Sequence, residues 1–322
     1  MPHGADSNIS VTVTISKASV LEQYQEDRLT HCAAIVVTYF PSPENLQQIP
    51  LTSKQFAATV VVDNGSTEET RAELKRIAST HSRIVLRLLP ENLGLAAGWN
   101  RGVEAAREAG FAWAATLDQD TKVPATFAEQ IAKAVGSRQW PDNVGLFAPK
   151  HVHPVSGAES AFTPAYSHHG DYSIVAAAIH SGSIISLAAH EKVGGFLEKL
   201  FVDYVDYEYS FRLQKYGFQL IQLEKAILVH EVGESQRRPF LGLRIPVNVH
   251  SPLRQYYLAR NRIYVVGRYG SKHWGWTYRE LTHGAAVLLA LVLTDKQRWA
   301  CLKYALRGVA DAVRGRFGKL TP

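Results

Sequence analysis

Two groups of carboxylates stand out by type and spacing. The segment Thr116-Leu117-Asp118-Gln119-Asp120-Thr121 follows directly on an apolar run at 111–117. Alternate residues of an extended chain share a side, so Asp118 and Asp120 can converge on one divalent cation that also holds a diphosphate. Mg²⁺ suits this, since it is held by one or two carboxylates plus substrate phosphate. An Asp-x-Asp triplet is common in solvated turns, but two carboxylates at the end of a buried strand are costly unless paired or metal-bound. The second group is Phe201-Val202-Asp203-Tyr204-Val205-Asp206-Tyr207-Glu208, three acids among aromatics where a helix begins, with Arg212 one turn beyond Glu208 as a partner for it. A carboxylate in such surroundings is suited to general-base work. The helix dipole would favour Asp203 or Glu208 at an N-terminus but does not account for all three acids.

Three further segments carry weaker signals. In Val61-Val62-Asp63-Asn64-Gly65-Ser66 a strand runs into a turn, and a carboxylate and an amide there can bond the edge of a nucleobase, or serve as turn chemistry alone. In 91–102, ENLGLAAGWNRG, glycines including Gly94 permit close backbone approach to a ligand or close helix–sheet packing. Arg101 in that segment is suited to pairing with a phosphate or an acidic neighbour. The segment lacks the Gly-Lys-Ser/Thr of a phosphate-cradling loop and the dinucleotide fingerprint. His230, in Leu228-Val229-His230-Glu231, is a metal-ligand candidate or a structural histidine.

These residues need a scaffold that brings strand ends together. Short β-branched runs at 33–38, 58–62, 84–89 and 111–117 read as buried strands, with strands also at 181–187 and 218–223. Helices are predicted at 67–78, with Ser66 as N-cap and Glu69 completing a capping box, at about 95–108, from Pro124, around 203–216, and throughout from about 252. This alternation predicts an α/β fold with a mostly parallel central sheet and helices on both faces. Ligands of such sheets bind at the carboxyl ends of the strands, and the informative residues follow the apolar runs. The expected organisation is an N-terminal extension at 1–30, a catalytic domain at 31–236 and a basic helical region at 237–322, with Pro239, Pro246 and Pro252 marking a hinge.

The chain has 322 residues, 46% of them apolar, enough for a large core. Its net charge of +6 divides unevenly: from Arg237 onward 16 Lys/Arg face three acids, a net of +13, while residues 1–236 carry −7. The basic tail suits a polyanion, here an anionic membrane surface rather than nucleic acid. Its apolar run 284–293 is too short to span a bilayer and reads equally as a surface helix or a packed core helix. No signal peptide is evident, and Cys32 and Cys301 match no metal or redox spacing, so a reducing cytoplasm is expected.

Taken in order, VVTYFP at 36–41, VVDNGST at 61–67, ENLGLAAGWNRG at 91–102, LDQD at 117–120, HSGSIIS at 180–186 and FVDYVDYEYSFRL at 201–213 resemble the inverting glycosyltransferase family 2 with its GT-A fold. The look is nearest to bacterial rhamnosyltransferases, and the tail Tyr256-Tyr257-Leu258-Ala259-Arg260-Asn261-Arg262 fits it. The resemblance implies that the Thr38–Tyr39 region and Asp63, with Asn64, contact the nucleobase. It implies that Asp118 and Asp120, flanking Gln119, hold a diphosphate through Mg²⁺ or Mn²⁺, and that Asp206 is the general base. His230 would add a metal or phosphate contact, with Ser181, Asp203, Glu208 and Arg212 supporting the acceptor side. The donor implied first is dTDP-rhamnose, then a UDP-hexose; the acceptor is a lipid-linked or cell-surface glycan met on the cytoplasmic side of the inner membrane. Many members carry Glu-Asp before the base, whereas Val205 stands here, so Asp203 is a rival for part of that role.

Two other classes fit less well. A sugar-phosphate nucleotidyltransferase calls for a glycine-rich, basic loop after its first strand, where this chain has Thr-Tyr-Phe-Pro-Ser-Pro. A non-catalytic nucleotide-binding membrane adaptor has no use for both acidic groups.

Overall fold

The computed structural model describes residues 32–152, 165–229, 235–240, 243–248, 251–294 and 297–321. The predicted extension at 1–30 and His230 lie outside the described residues.

The first half alternates as expected: β1 (Cys32–Thr38), α1 (Pro43–Ser53), β2 (Ala58–Asp63), α2 (Glu68–Thr80), β3 (Ile84–Leu88), α3 (Leu95–Glu108), β4 (Trp113–Asp118) and α4 (Phe127–Gly136). These strands form a parallel block, β3-β2-β1-β4. Its register sets Thr38 beside Asp63 and Val37 beside Asp118, so the candidate residues come out along one carboxyl edge. Side chains alternate between faces: Ala33, Ile35 and Val37 pack with α3, whereas Ala34 and Val36 face α4. Ile49 of α1 and Leu74 and Ile77 of α2 close over Val61 and Ile84.

Beyond β4 the sheet becomes mixed. β5 (Val144–Val152), β6 (Ala165–His168), β7 (Tyr172–Val175), β8 (Ser183–Ser186) and β9 (Gln219–Val229) extend it in the order β4-β8-β5-β9-β7-β6. Only β5 and β9 pair in parallel there; β8 runs antiparallel to β4 and β5, and β7 to β9 and β6. The expected predominance of parallel strands therefore holds for the first four. β6 and β7 are joined by a three-residue turn with Gly170 at φ 78°, far short of the dozen residues a parallel crossover needs. Helices α5 (Leu187–Val193) and α6 (Val205–Lys215) cover the same face as α3.

Several local expectations shift. The N-cap of α2 is Thr67, whose hydroxyl accepts from Thr70 N–H, while Ser66 Oγ is engaged by the Phe40 N–H at 2.9 Å. α4 begins at Phe127 rather than Pro124. α1 is an element that the sequence-based expectation lacks; Pro43 occupies its first turn behind a Ser42 cap, where its missing N–H costs nothing. Pro239 and Pro246 do not mark an open hinge: they lie in β10 (Ser235–Phe240) and β11 (Leu243–Asn248), an antiparallel pair. Pro252 opens α7 (Pro252–Tyr269), followed by α8 (Trp274–Thr294) and α9 (Arg298–Val313).

The glycines of the 91–102 segment have a packing explanation. A Cβ at Gly102 would stand 2.2 Å from Ile35 Cγ2, and one at Gly98 2.7 Å from Val37 Cγ1. Their absence of side chain is what lets α3 lie against β1, the arrangement behind three of the site's strand ends.

Candidate active site

At the ends of β1 and β2, Asp63 is fully buried. Its Oδ1 accepts from Thr38 Oγ1 at 3.4 Å, and its Oδ2 from Ser66 N–H at 3.1 Å and Arg71 Nε at 3.3 Å. A carboxylate accepts about four such bonds, so Asp63 keeps capacity for one more. Asn64 keeps none of its donors. Its Nδ2 donates to Asn92 Oδ1 and Gly94 O, and its Oδ1 accepts from Leu93 N–H. In this structure it bridges the loops after β2 and β3. Tyr39 and Phe40 stand exposed with rings 4.5 Å apart, and Tyr39 N–H donates to Gln119 Oε1 at 2.8 Å. That bond ties the loop after β1 to the acidic one after β4.

Gly94 and Arg101 turn elsewhere. At φ 92°, Gly94 has no room for a Cβ, which would meet Phe201 O at 2.5 Å. Its close approach is thus to the 201–204 loop. Arg101 faces Glu104 and Glu198 at 3.8 and 4.0 Å, the acidic-neighbour alternative, and no contact among the described residues joins it to Asp118 or Asp120.

Asp118 ends β4. Burial, then the charges of Asp120 and Asp206, push its carboxyl up to about 8, with Arg254 pulling in the other direction. Such a crowd of mutually repelling carboxylates is the environment a divalent cation relieves, so the donor set fits Mg²⁺ or Mn²⁺. Among the described residues no group of three or more His, Cys, Asp or Glu side chains converges on one metal position; two carboxylates plus phosphate oxygens suffice for Mg²⁺. Ser181 supports this corner: its hydroxyl accepts from Asp118 N–H at 3.4 Å and bonds Thr121 Oγ1 at 2.5 Å.

Asp206 lies in the first turn of α6. Its Oδ2 accepts from the His180 N–H at 3.2 Å, so the 180–181 segment touches both acidic groups. Burial pushes Asp206 up to about 7, opposed by that hydrogen bond and reinforced by Asp203. A carboxyl poised near neutrality is what general-base work at pH 7 needs. His180, fully buried beside Trp99, Phe196 and Tyr209, is held neutral, its acidity shifted to about 3 by burial.

The other two acids differ. Glu208 is buried in a fork with Arg212, at 2.9 and 2.8 Å, and accepts from Tyr269 OH at 2.8 Å. Arg212 also donates to Val193 O and Gly195 O, so this pair pins α6 to the turn after α5. Breaking such a buried pair costs about 3–5 kcal/mol, so the pair is a structural element of this part of the fold. Asp203 instead bonds Arg254.

The backbone between the acids is strained. Phe201, Asp203 and Tyr204 have φ of 68°, 60° and 62°, each costing of order 1–3 kcal/mol for a non-glycine residue. Helix α7 holds them. Asn261 Nδ2 donates to Leu200 O, Val202 O and Asp203 O, and Arg260 Nη2 to Leu200 O at 2.9 Å. Both side chains are fully buried. From the other side Leu95 N–H donates to Phe201 O at 2.7 Å. His180, Arg254, Arg260 and Asn261 received no role from the sequence. The adjacent Arg260 and Asn261 among the aromatic and aliphatic residues of 256–266 were the available signal, since buried groups of that kind require partners.

A mixed sheet ending in carboxylates along one edge, covered by helices on both sides, is the arrangement of the GT-A fold. Residues 44–139 match the family model "Glycosyl transferase family 2". The chain is 26% identical over 296 residues to the dTDP-rhamnosyl transferase RfbF of Shigella flexneri, covering 88% of this chain and 96% of that one. By these matches the chain is similar to glycosyltransferases of family 2, including a rhamnosyltransferase, and they support a glycosyltransferase. Among solved structures, the mannosyltransferase PcManGT from Pyrobaculum calidifontis, in complex with GDP-Man and Mn²⁺, aligns with a TM-score of 0.55 at 15% identity over 93% of both chains. GalNAc-T7 with UDP, GalNAc and Mn²⁺ aligns at 0.54 and 14%, over 77% of this chain and 50% of that one.

Proposed function

We propose that this enzyme moves one sugar, with inversion, from a nucleotide-diphosphate donor to a hydroxyl of a lipid-linked or cell-surface glycan. The observation that carries the mechanism is the 180–181 segment, whose His180 N–H donates to Asp206 Oδ2 while Ser181 Oγ accepts from Asp118 N–H, so that a phosphate-side acid and a base-side acid stand at one segment. Asp206 accepts the proton of the acceptor hydroxyl; that oxygen bonds the anomeric carbon as the bond to the diphosphate oxygen breaks on the opposite side. Asp118 and Asp120 would hold Mg²⁺ or Mn²⁺, which when bound neutralises charge on the diphosphate. His230 remains a further ligand candidate. Thr38, Tyr39 and the remaining acceptor capacity of Asp63 form the nucleobase end.

The relative from Shigella flexneri supports dTDP-rhamnose as the donor, and the UDP-hexose alternative is second. Mn²⁺ and nucleotide sugars in the two solved neighbours support the cofactor reading. A panel of nucleotide sugars, titrated with and without Mg²⁺, tests it: dTDP-rhamnose should bind most tightly and only with metal. Tighter, metal-independent binding of another donor would overturn it.

The tail favours a membrane surface. No described helix is long and apolar enough to cross a membrane. α8 and α9 leave Trp274, Tyr278, Leu289, Trp299, Leu306 and Val313 exposed, beside Arg298, Lys303, Arg307 and Arg314. Aromatic and basic side chains together suit an anionic interface, in keeping with a peripheral position on the cytoplasmic face of the inner membrane. Cosedimentation with anionic vesicles should fall with salt and after charge reversal at Arg298, Lys303 and Arg307; indifference to both would remove the membrane from the account.

A further inference from the structure

Beyond α9, residues 315–321 turn back onto the loop that precedes Asp206. Phe317 lies edge-on to Tyr264 of α7 with ring centroids 5.1 Å apart, and the Lys199 ammonium stands 4.2 Å from the Tyr264 ring and 4.6 Å from that of Phe317. Gly318 N–H donates to Lys199 O at 2.7 Å, and Gly318 O accepts from Arg260 Nη1 at 2.7 Å. The other arm of that guanidinium, Nη2, donates to Leu200 O. A guanidinium is planar and its donors are fixed in one fork, so seating Nη1 on the tail aims Nη2 at the loop. Leu320 N–H donates to Tyr257 OH at 2.8 Å, and the Tyr257 ring stacks on Phe201 at 5.1 Å. Tail and loop therefore share Lys199, Arg260 and Tyr257. Phe201 is the first of the positive-φ residues that lead into α6. Strained backbone of this kind persists only where its surroundings over-determine it, and the tail supplies part of those surroundings.

We propose that Phe317, Gly318 and Leu320 are a positioning strap of the active site: through Lys199, Arg260 and Tyr257 they hold the 199–204 loop in the conformation from which α6 presents Asp206. This rests on the transfer reading above. It makes the segment after α9 a working part of the site. Lys319 stands outside the strap: its ion pair with Glu91, at 3.0 Å, is exposed on both sides, and pairs of that kind hold little.

The test pairs amide exchange with donor hydrolysis for wild type, Phe317→Ala, Phe317→Leu, Gly318→Ala and Lys319→Ala. Gly318 has φ 88°, and no described atom stands within 4 Å of a Cβ built there, so Gly318→Ala strains the tail without a clash. Hydrogen–deuterium exchange of peptides spanning 196–206, read by mass spectrometry without substrate, should quicken about tenfold in Phe317→Ala and Gly318→Ala. Peptides of β1 to β4 should exchange as in wild type. With dTDP-rhamnose in Mg²⁺, and a UDP-hexose in parallel, kcat for hydrolysis should fall by about 10- to 100-fold in the same two variants. Their dTDP and UDP affinities should stay within about twofold of wild type. Phe317→Leu should recover most of kcat, and Lys319→Ala should match wild type within about twofold. Melting curves set the working temperature below the transition of every variant. Unchanged exchange at 196–206, quickened exchange with wild-type kcat, or a loss of nucleotide affinity equal to the loss of kcat would overturn the assignment. The exchange arm needs no ligand, so a wild type that binds neither dTDP nor UDP would overturn the transfer reading instead.

Discussion

His180 and Asp206 meet twice: the backbone N–H of His180 donates to Asp206 Oδ2 at 3.2 Å, and its ring Nδ1 stands 3.6 Å from Asp206 Oδ1. The ring is neutral, because burial and the neighbouring His190 hold its acidity far below the ordinary imidazole value. The backbone N–H therefore orients the carboxylate, and the ring beside it supplies no charge that would make Asp206 a weaker base. Burial prevails, and Asp206 sits at about 7.

Asp206 acts as a base only when ionised, so kcat/KM should show an acid limb. The rate should be level above about pH 7 and fall tenfold per pH unit well below it. A profile of kcat/KM at constant metal from pH 5 to 8.5 checks this, and a flat acid side contradicts the assignment.

The same shifts bear on stability. Asp118 and Asp206 hold protons in the folded state up to about 8 and 7, against an ordinary carboxyl value of 3.8. Between those limits the folded protein binds more protons than the unfolded one. Their contribution is full below about pH 4 and is lost as pH rises through 7 to 8. In EDTA, Asp118→Asn should melt close to wild type at pH 5 and clearly above it at pH 8.5. Mn²⁺ at pH 8.5 should raise the wild-type melting temperature and leave Asp118→Asn nearly unmoved. Parallel curves for the two proteins would show that Asp118 does not carry this burden.

Gly102→Ala separates packing from ligand contact in the 91–102 segment. Its Cβ would meet Ile35 Cγ2 and force α3 away from β1, an overpacking cost of about 1–3 kcal/mol. Chemical denaturation should show that loss, while nucleotide affinity at low temperature stays within about twofold. Full stability with lost affinity would return the glycine to the binding site.

Much of this was legible in the sequence because it follows strand ends. Buried β-branched runs set β1 to β4, and residues after such runs in a parallel block must gather on one edge, as Thr38, Asp63 and Asp118 do. The pairing of Glu208 with Arg212 follows from helical spacing alone. What stayed hidden depends on contacts between distant segments. Asn64 offers the same amide to a nucleobase or to Asn92 and Gly94, and only the fold decides. The 201–204 backbone is held by Arg260 and Asn261 from some sixty residues away, so nothing local announces its strain. β6, β7 and β8 follow one another over links of three and seven residues, too short for the helix that makes a parallel crossover readable, which is why the antiparallel half of the sheet went unforeseen.

The account stands most directly on Asp206 as the base of an inverting displacement. With water as a slow acceptor, ¹H NMR of donor hydrolysis in Mg²⁺ reports the anomer released before mutarotation. The wild type should release sugar of configuration opposite to the donor. Asp206→Asn should lose about 10²- to 10⁴-fold in rate with donor affinity unchanged. Release with retained configuration, or an Asp206→Asn enzyme that hydrolyses donor at the wild-type rate, would contradict it.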